Sequence, residues 1–556
     1  MDDYGYDLGS HGLPVSTSSD QAQLWFDRGL NWLFGFNHAE SIACFHRALE
    51  FDPGCAMAHW GIAYALGPNY NMPWDRYDDA GRAEALAGAH AATLAAQAAN
   101  PTVPMEQALI AALPARYPSA TAAPLPDMQG WDRAFADAMR KVQARFPDQD
   151  DIRALFAESL LNLTPWKMWT IATGTPAPGA ATKEAQTLLE TGLATPSGAR
   201  HPGILHLYVH LMEMSPTPER ALPAADALRT LMPDAGHLIH MATHIDVLCG
   251  HYRDVVHWNQ QATLADMKYY AREGAFNIYT GYRQHNFHFA IYGAMFLGQL
   301  APALEAVQGI RDTVPESLLR IESPPMADYF ESFTALLPHV LIRFGRWHDI
   351  LALPAPEDPD LHCTLAAFTS YAKAVAHAAL GDVPSARAEA EAFASARARV
   401  PASRLMHNNR VTDLLAVADR MMWGEITYRE GAFDTAFDHL RRAIALEDAL
   451  PYDEPWGWMQ PVRHALGALL FEQGRTAEAE ATYREDLGLG GTLARATVHP
   501  DNVWALRGLH DCLKARGDTM ELPLIAQRLT LALARADRAV AASCFCAQSA
   551  MRAASA

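Results

Sequence analysis

The sequence predicts an all-α protein in which helical hairpins repeat and stack into a superhelical solenoid. Half of the 556 residues are hydrophobic, and runs that alternate between apolar and polar residues, as strands do, are few. Segments with helical periodicity follow one another, and turns containing glycine or proline separate them. This succession of elements is typical of helical-repeat proteins.

The N-terminal part begins as a repeat and then departs from the pattern. Ser18 and Gln21 resemble a capping box that opens the first helix. Aromatic and small residues follow at the spacing of a helical hairpin: Trp25, Gly29, Trp32, Ser41, Phe45, Ala48 and Pro53. A second hairpin starts at Trp60 and gives way to residues 67–74, which the Gly, Pro and Asn content predicts to be a loop.

The repeats become more regular beyond residue 300. Five glycines have the sequence context of the turn between two helices: Gly345, Gly381, Gly431, Gly474 and Gly517. The Ala/Ser-rich tail after them contains Cys544-Phe-Cys546 and is expected to be a frayed terminus. We therefore expect helical repeats with Pro-rich insertions in 1–200, a histidine-rich helical segment in 201–300 and further repeats in 301–556.

Three helical stretches in the middle segment carry residues suited to metal binding. In each stretch, residues three, four or seven positions apart share one helical face: His206, His210 and Glu213; His237, His240 and His244; His285 and His288. The rest of each helix is strongly apolar, which predicts burial. An unpaired buried imidazole costs about 1–3 kcal/mol, and a metal ion is the common partner that suits so many imidazoles.

The chain resembles the tetratricopeptide-repeat proteins and, among these, a bacterial and fungal group with histidine-rich segments. The matching stretches span most of the chain: 36–40, 55–71, 218–226, 235–244 (AGHLIHMATH), 285–288 (HNFH), 456–463 and 483–487. The histidine segments are the most specific of them. The resemblance implies the helical-repeat fold and implies no particular reaction.

The types of ligand in these stripes narrow the choice of metal. The expected ligands are seven histidines: His206, His210, His237, His240, His244, His285 and His288. A carboxylate-bridged di-iron site needs four acidic ligands, whereas only Glu213 lies in these stripes. Sets made of imidazole suit copper, zinc, iron or nickel. Copper accommodates the histidine excess best, with iron and zinc as alternatives, and Glu213 and His237 either bind the metal or orient its ligands.

Polar and aromatic residues near the stripes are candidates for contact with a substrate. Asn69, Asn71, Trp166 and Tyr279 are expected to line a pocket. Tyr282 and Glu213 are the candidate catalytic residues. Stacked helix pairs form a concave groove, through which a small organic molecule would reach the metal.

Composition excludes several classes of function. A net charge of −19 argues against general binding to nucleic acid or to anionic lipid. Neither a P-loop nor a Rossmann glycine pattern occurs, so no nucleotide cofactor is implied. Residues 1–6 do not have the basic n-region and apolar h-region expected of a signal peptide, and no apolar run of about 18 residues occurs that could span a membrane. We therefore expect a cytoplasmic protein that does not associate with membranes.

These observations predict a metal-dependent oxidoreductase, of copper or iron, that acts on a small organic substrate. One alternative is a repeat scaffold that binds a protein or peptide partner in its groove, with any metal structural. Another is a zinc-dependent hydrolase with Glu213 as general base. Self-association into a homo-oligomer is left open.

Overall fold

A computed structural model describes residues 4–547 of the chain. Helices make up nearly all of its regular structure, so the all-α prediction is confirmed. Two short antiparallel hairpins interrupt them: β1 (Trp169–Thr170) with β2 (Thr175–Pro176), and β3 (Leu405–Met406) with β4 (Asn409–Arg410).

The helices up to residue 313 have the following bounds: α1 Asp20–Phe34, α2 His38–Phe51, α3 Ala56–Leu66, α4 Asp79–Ala98, α5 Pro104–Arg116, α6 Leu125–Arg145, α7 Asp150–Leu161, α8 Thr182–Leu193, α9 Pro202–Met212, α10 Leu222–Leu228, α11 Gly236–Leu248, α12 Tyr252–Glu273, α13 Thr280–Leu297 and α14 Leu300–Thr313. The later helices are α15 Glu316–Leu319, α16 Met326–Phe330, α17 Leu337–Arg343, α18 Trp347–Leu351, α19 Cys363–Ala379, α20 Val383–Arg397, α21 Val411–Arg429, α22 Phe433–Asp448, α23 Val462–Glu472, α24 Thr476–Asp486, α25 Val503–Ala515 and α26 Leu522–Leu533. Short 3₁₀ turns occur at Trp74–Arg76, Gly198–Arg200, Pro218–Ala221, Glu331–Ala335 and Arg495–Thr497.

Consecutive helices pack together as hairpins, as the repeat pattern predicts. The pairs α19/α20, α21/α22, α23/α24 and α25/α26 each make extensive contact along the chain, as does α1/α2. The five glycines expected at the turns all have positive φ, from 62° at Gly345 to 86° at Gly381. Glycine adopts this conformation without the steric penalty that a Cβ imposes. The helical-hairpin repeat is thereby confirmed, while the superhelical course of the whole array stays a prediction.

The chain divides into two compact units. Among the described residues, unit 1 contains 4–245 and 264–269, and unit 2 contains 246–263 and 270–547. Each unit has its own core, and the two are described separately below. The three-part division expected from the sequence stays a prediction.

The three histidine stretches are helical, as predicted. The first lies on α9, with Glu213 at its C-cap, and the second and third lie on α11 and α13. Gly250 and Gly298, which follow the second and third of these helices, have φ of 77° and 73°.

The expectation of a frayed C-terminus is wrong for residues 540–547. Val540, Ser543, Phe545 and Cys546 are buried, and Cys544 and Cys546 are joined by a disulfide. The segment has no helix or strand, so periodicity gave no sign that it packs. Residues 548–556 lie outside the described part of the chain.

Within residues 4–547, no helix combines the length and the apolar character needed to cross a bilayer.

Candidate metal centre

The centre in unit 1 is a cluster of five buried histidines and one buried carboxylate. The side chains come from α9 and α11, and each is at most 2 % exposed: His206, His210, Glu213, His237, His240 and His244. Every residue of α9 is buried, since the apolar residues between the histidines pack as core. The polar stripe is therefore enclosed in the interior, as its sequence pattern predicts.

The imidazole rings form a continuous set of neighbours. The ring centroids of His206 lie 4.9 Å from those of both His210 and His237. The His240 and His244 rings are 4.7 Å apart, and His244 lies 6.0 Å from His210. Possible ligand atoms of His206, His210 and His237 all lie within 4.8 Å of one another. These three imidazoles are close enough together to be candidates for holding one metal ion.

Glu213 links the two helices through its two carboxylate oxygens. The Nδ1 atom of His210 is 3.1 Å from Oε1, and the Nδ1 atom of His244 is 2.6 Å from Oε2. A carboxylate only accepts hydrogen bonds, so each Nδ1 carries the proton. A neutral ring with its proton on Nδ1 has its lone pair on Nε2, and metal-binding histidines in proteins are commonly held in this way by a carboxylate that accepts from the other ring nitrogen.

His206 reaches the same tautomer through the backbone. Its Nδ1 donates to the carbonyl oxygen of Phe34 at 2.8 Å. Its Nε2 is buried and has no hydrogen-bond partner among residues 4–547. A buried lone pair without a donor is costly, and a metal ion would satisfy it.

His240 and His244 face each other through like atoms. Their Nε2 atoms are 2.7 Å apart. Two lone pairs cannot approach so closely, so the contact needs a proton between the nitrogens or a cation that binds both. The proton on Nδ1 of His244 leaves His240 as the donor in the metal-free state.

The enclosure favours neutral imidazoles. Burial lowers the pKa of His206 to about 3. Burial also lowers the pKa of His237 well below its ordinary value, and the neighbouring histidines add to the effect. Neutral imidazole is the form that binds metal, so these rings are in the binding form at neutral pH.

Residues 67–74, predicted to be a loop, lead from α3 into the first 3₁₀ turn. Side chains from the end of α5 contact this loop. Arg116 donates to the carbonyl oxygen of Tyr64 at 3.4 Å and to that of Pro68 at 2.5 Å. At Gly67 a Cβ would lie 1.9 Å from the hydroxyl of Tyr117, so any side chain there would require the Tyr117 ring to move. These contacts fix the path of the loop.

The loop brings Tyr70 against the histidine cluster. The Tyr70 ring lies 4.4 Å from the His210 ring, and its hydroxyl accepts the backbone N–H of Trp166 at 3.1 Å. The Trp166 ring is 5.4 Å from that of Tyr70. Trp166, predicted to line the pocket, thus lies one ring away from a histidine of the cluster.

The two predicted asparagines lie in the same loop. The amide nitrogen of Asn69 is 3.3 Å from Nδ1 of His38, and its side-chain oxygen accepts the backbone N–H of Asn71 at 2.9 Å. Asn69 is buried, while Asn71 is partly exposed. Their contact with a substrate stays a prediction.

Two contributors to the site were not identified from the sequence: Phe36 and His38. The Phe36 ring lies 4.4 Å from the ring of His206. Phe36 has a φ of 56°, unusual for a side chain of this size. Nothing in the local pattern distinguishes them, because their contacts join distant parts of the chain.

A second histidine–carboxylate group in unit 1 has the opposite proton arrangement. Nε2 of His11 and Nε2 of His201 lie 2.9 and 3.2 Å from the same oxygen of Asp151. Nδ1 of His201 accepts the backbone N–H of Ile204, so the proton of this ring is on Nε2 and is donated to Asp151. The group is satisfied by hydrogen bonds and ties the N-terminal segment to α7 and α9.

The remaining predicted residues lie in unit 2. Nε2 of His288 is 3.0 Å from the sulfur of Met459, and the His285 ring stacks on that of His407 at 4.7 Å. Burial lowers the pKa of His288 to about 3. The rings of Tyr279 and Tyr282 are 5.3 Å apart. Metal binding by His285 and His288 stays a prediction. So do the catalytic role of Tyr282 and the contact of Tyr279 with a substrate.

Comparisons with known proteins add little to this geometry. No family model matches the sequence, and no curated protein matches it. One similar solved structure is Naa15/Naa10 bound to HypK-THB, with 12 % identity over 92 % of this chain and 70 % of that one and a TM-score of 0.20. Another is the APC/C hetero-tetramer Cut9–Hcn1, with 11 % identity over 97 % and 96 % and a TM-score of 0.24. Values this low support no conclusion about function.

Proposed function

We propose that unit 1 binds a transition-metal ion through imidazole nitrogens of α9 and α11, and that the chain is a metal-dependent oxidoreductase. The observation that carries the proposal is the shared tautomer of His206, His210 and His244. In each ring Nδ1–H donates a hydrogen bond to a carbonyl or carboxylate oxygen, which leaves Nε2 as a ligand atom. The group around Asp151 shows that buried histidines in this fold are not always arranged in this way.

The donor set favours copper or iron. Among residues 4–547, the groups of side chains that could hold a metal ion consist of histidine, carboxylate or both, without cysteine. Imidazole suits copper, iron, zinc and nickel, and the first two change oxidation state. We place copper first because most of the side chains in the cluster are imidazoles.

A zinc hydrolase is less well supported. In that mechanism Glu213 would act as a general base and accept a proton from a metal-bound water. Both of its oxygens instead lie against the Nδ1 atoms of His210 and His244. This contact set suits a residue that positions ligands.

The substrate that best suits this site is a small organic molecule. Tyr70 and Trp166 provide aromatic surface beside His210, and Asn69 provides a polar group in the same loop. A few polar groups on an aromatic wall are typical of small-molecule sites. When bound, the metal would supply the redox chemistry, and these residues would hold the substrate beside it.

The proposal is tested with protein purified without an affinity tag. We expect at least one equivalent of copper or iron per chain, and loss of most of it in the His206→Ala, His210→Ala double variant. Oxygen uptake in the presence of small phenols, amines and thiols would be measured for both proteins. Bound metal without oxygen uptake, together with a lower melting temperature after chelation, would assign the ion a structural role.

A further inference from the structure

The C-terminal segment of unit 2, residues 537–547, lies along the first helices of the last repeats. Asp537 accepts the backbone N–H groups of Leu300 and Ala301 at 2.7 and 2.9 Å, which fixes the start of the segment. The chain then continues without regular structure to residue 547. In this course it contacts residues of α17, α21, α23, α24 and α25.

Donors from these helices bind the backbone of the segment. Arg343 donates to the carbonyl oxygen of Ser543 at 2.5 Å, and Arg429 donates to that of Cys546. The Ser543 hydroxyl donates to the carbonyl oxygen of His464 at 2.9 Å and lies 2.6 Å from the hydroxyl of Tyr483. Bonds to backbone carbonyls fix an extended chain with little regard to its side chains.

A buried polar network holds Arg343 in place. Its other terminal nitrogen donates to Nδ1 of His464 at 2.9 Å, and Nε2 of His464 donates to Asp486 at 2.8 Å. The second oxygen of Asp486 lies 2.8 Å from Nδ1 of His499. The guanidinium also stacks over the Trp504 ring at 4.0 Å. The network thus fixes both terminal nitrogens of Arg343, and one of them binds the carbonyl of Ser543.

One aromatic side chain anchors the segment. Phe545 is buried and lies 6.0 Å from the Trp504 ring. At Gly345 a Cβ would come within 2.7 Å of the Phe545 ring, so this glycine leaves the space that the ring fills. The anchor and the backbone bonds lie within four residues of each other.

The segment fills only part of the groove that α17, α21, α23, α24 and α25 form around it. A cavity of about 660 Å³ remains beside Ala541 and Ala542, and Phe433, Phe471 and Glu472 also line it. The two methyl groups leave space that longer side chains would occupy. A ligand with the same backbone and larger residues at these two positions would bury more apolar surface.

We propose that this groove is a peptide-binding site that the C-terminal segment of the chain occupies in cis. Its other ligand is an extended segment of a partner protein, with a small residue at the Ser543 position, an aromatic anchor at the Phe545 position and larger apolar residues at the positions of Ala541 and Ala542. The partner binds by displacing residues 540–547. The groove belongs to unit 2, so the proposal does not depend on the metal centre.

The test uses full-length protein and a fluorescein-labelled peptide of residues 538–547, with serine in place of both cysteines. We expect the Phe545→Ala variant to bind this peptide at least tenfold more tightly than the wild type, because its own segment competes less well. A peptide with Ala542→Leu is expected to bind more tightly still. A peptide in which alanine replaces the phenylalanine controls for nonspecific association and is expected not to bind.

Equal binding by both proteins, binding by neither, or binding of the control peptide would overturn the proposal. A second measurement uses only the wild type, so it does not depend on how the variant folds. Hydrogen exchange of residues 541–547 is followed with and without an excess of the unlabelled Ala542→Leu peptide. We expect exchange in this segment to become several times faster, and unchanged exchange would contradict displacement.

Discussion

Replacement of Glu213 by glutamine tests how the histidine cluster is prepared for metal. The carboxylate accepts Nδ1–H groups from both His210 and His244, whereas an amide offers one accepting oxygen and one donating NH₂ group. The shorter contact, 2.6 Å to His244, is expected to keep the amide oxygen. His210 then faces the NH₂ group and must accept through Nδ1, which moves its own proton to Nε2.

This tautomer change removes one ligand atom without removing a ring. A loss of support from an outer-shell carboxylate typically lowers metal affinity by about 10- to 100-fold, which corresponds to about 1.4–2.7 kcal/mol. We expect Glu213→Gln to lie at the upper end, since one carboxylate orients two rings. The affinity would be measured by competition with a chromogenic chelator at constant pH.

A matched control is available in the same unit. Asp151 also accepts from two histidines, His11 and His201, and lies in the group that hydrogen bonds alone satisfy. Asp151→Asn makes the same chemical change, and we expect it to leave metal affinity within about twofold. Wild-type affinity in Glu213→Gln, or an equal loss in Asp151→Asn, would refute the tautomer argument.

Three further predictions concern the surroundings of the two sites. Gly67→Ala is expected to lower the free energy of unfolding by about 1–3 kcal/mol, measured by urea titration, because the new Cβ meets the Tyr117 hydroxyl; an unchanged midpoint would contradict the loop geometry. Trp169→Phe is expected to cost about 1–3 kcal/mol in the same assay, since the carbonyl of Leu211 at the end of α9 loses its donor at 2.6 Å; stability equal to the wild type would show that this bond does not matter. Burial raises the pKa of Glu447 to about 8, so the folded protein holds this proton more tightly than the unfolded chain does. The free energy of unfolding therefore declines as the pH rises from about 5 to 8, by at most about 1.4 kcal/mol per pH unit. Glu447→Gln should remove this slope, and a slope identical to the wild type would assign it to another group.

The helices and the histidine faces could be predicted from the sequence because both are local. The apolar periodicity predicted α9, α11 and α13. The spacing of four residues predicted that His206 lies beside His210 and that His240 lies beside His244, as the structure shows. These distances follow from helix geometry alone.

The groups that orient the rings could not be predicted, because their contacts join distant parts of the chain. The carbonyl of Phe34 is 172 positions from His206, and Tyr70 reaches His210 from a loop whose course depends on Arg116. No periodicity encodes such contacts. The tautomers, and with them the role of Glu213, became evident only from the hydrogen bonds.

The C-terminal segment was misjudged for a related reason. Alanine and serine around Cys544 and Cys546 carry no helical or strand pattern, and such composition is typical of loose termini. The segment is ordered by what surrounds it, chiefly Arg343, Tyr483 and the space at Gly345. Contacts of this kind depend on how the segment and the surrounding helices are placed in three dimensions, which no local sequence pattern encodes.

X-ray absorption spectroscopy at the copper, iron and zinc edges, on protein purified without a tag, tests the central claim most directly. We predict an edge from one of these metals, with nitrogen neighbours at about 2.0–2.1 Å and the outer-shell scattering of imidazole rings. The signal should disappear in the His206→Ala, His210→Ala double variant. Less than about half an equivalent of metal per chain, or a first shell that this double variant leaves unchanged, would contradict the account.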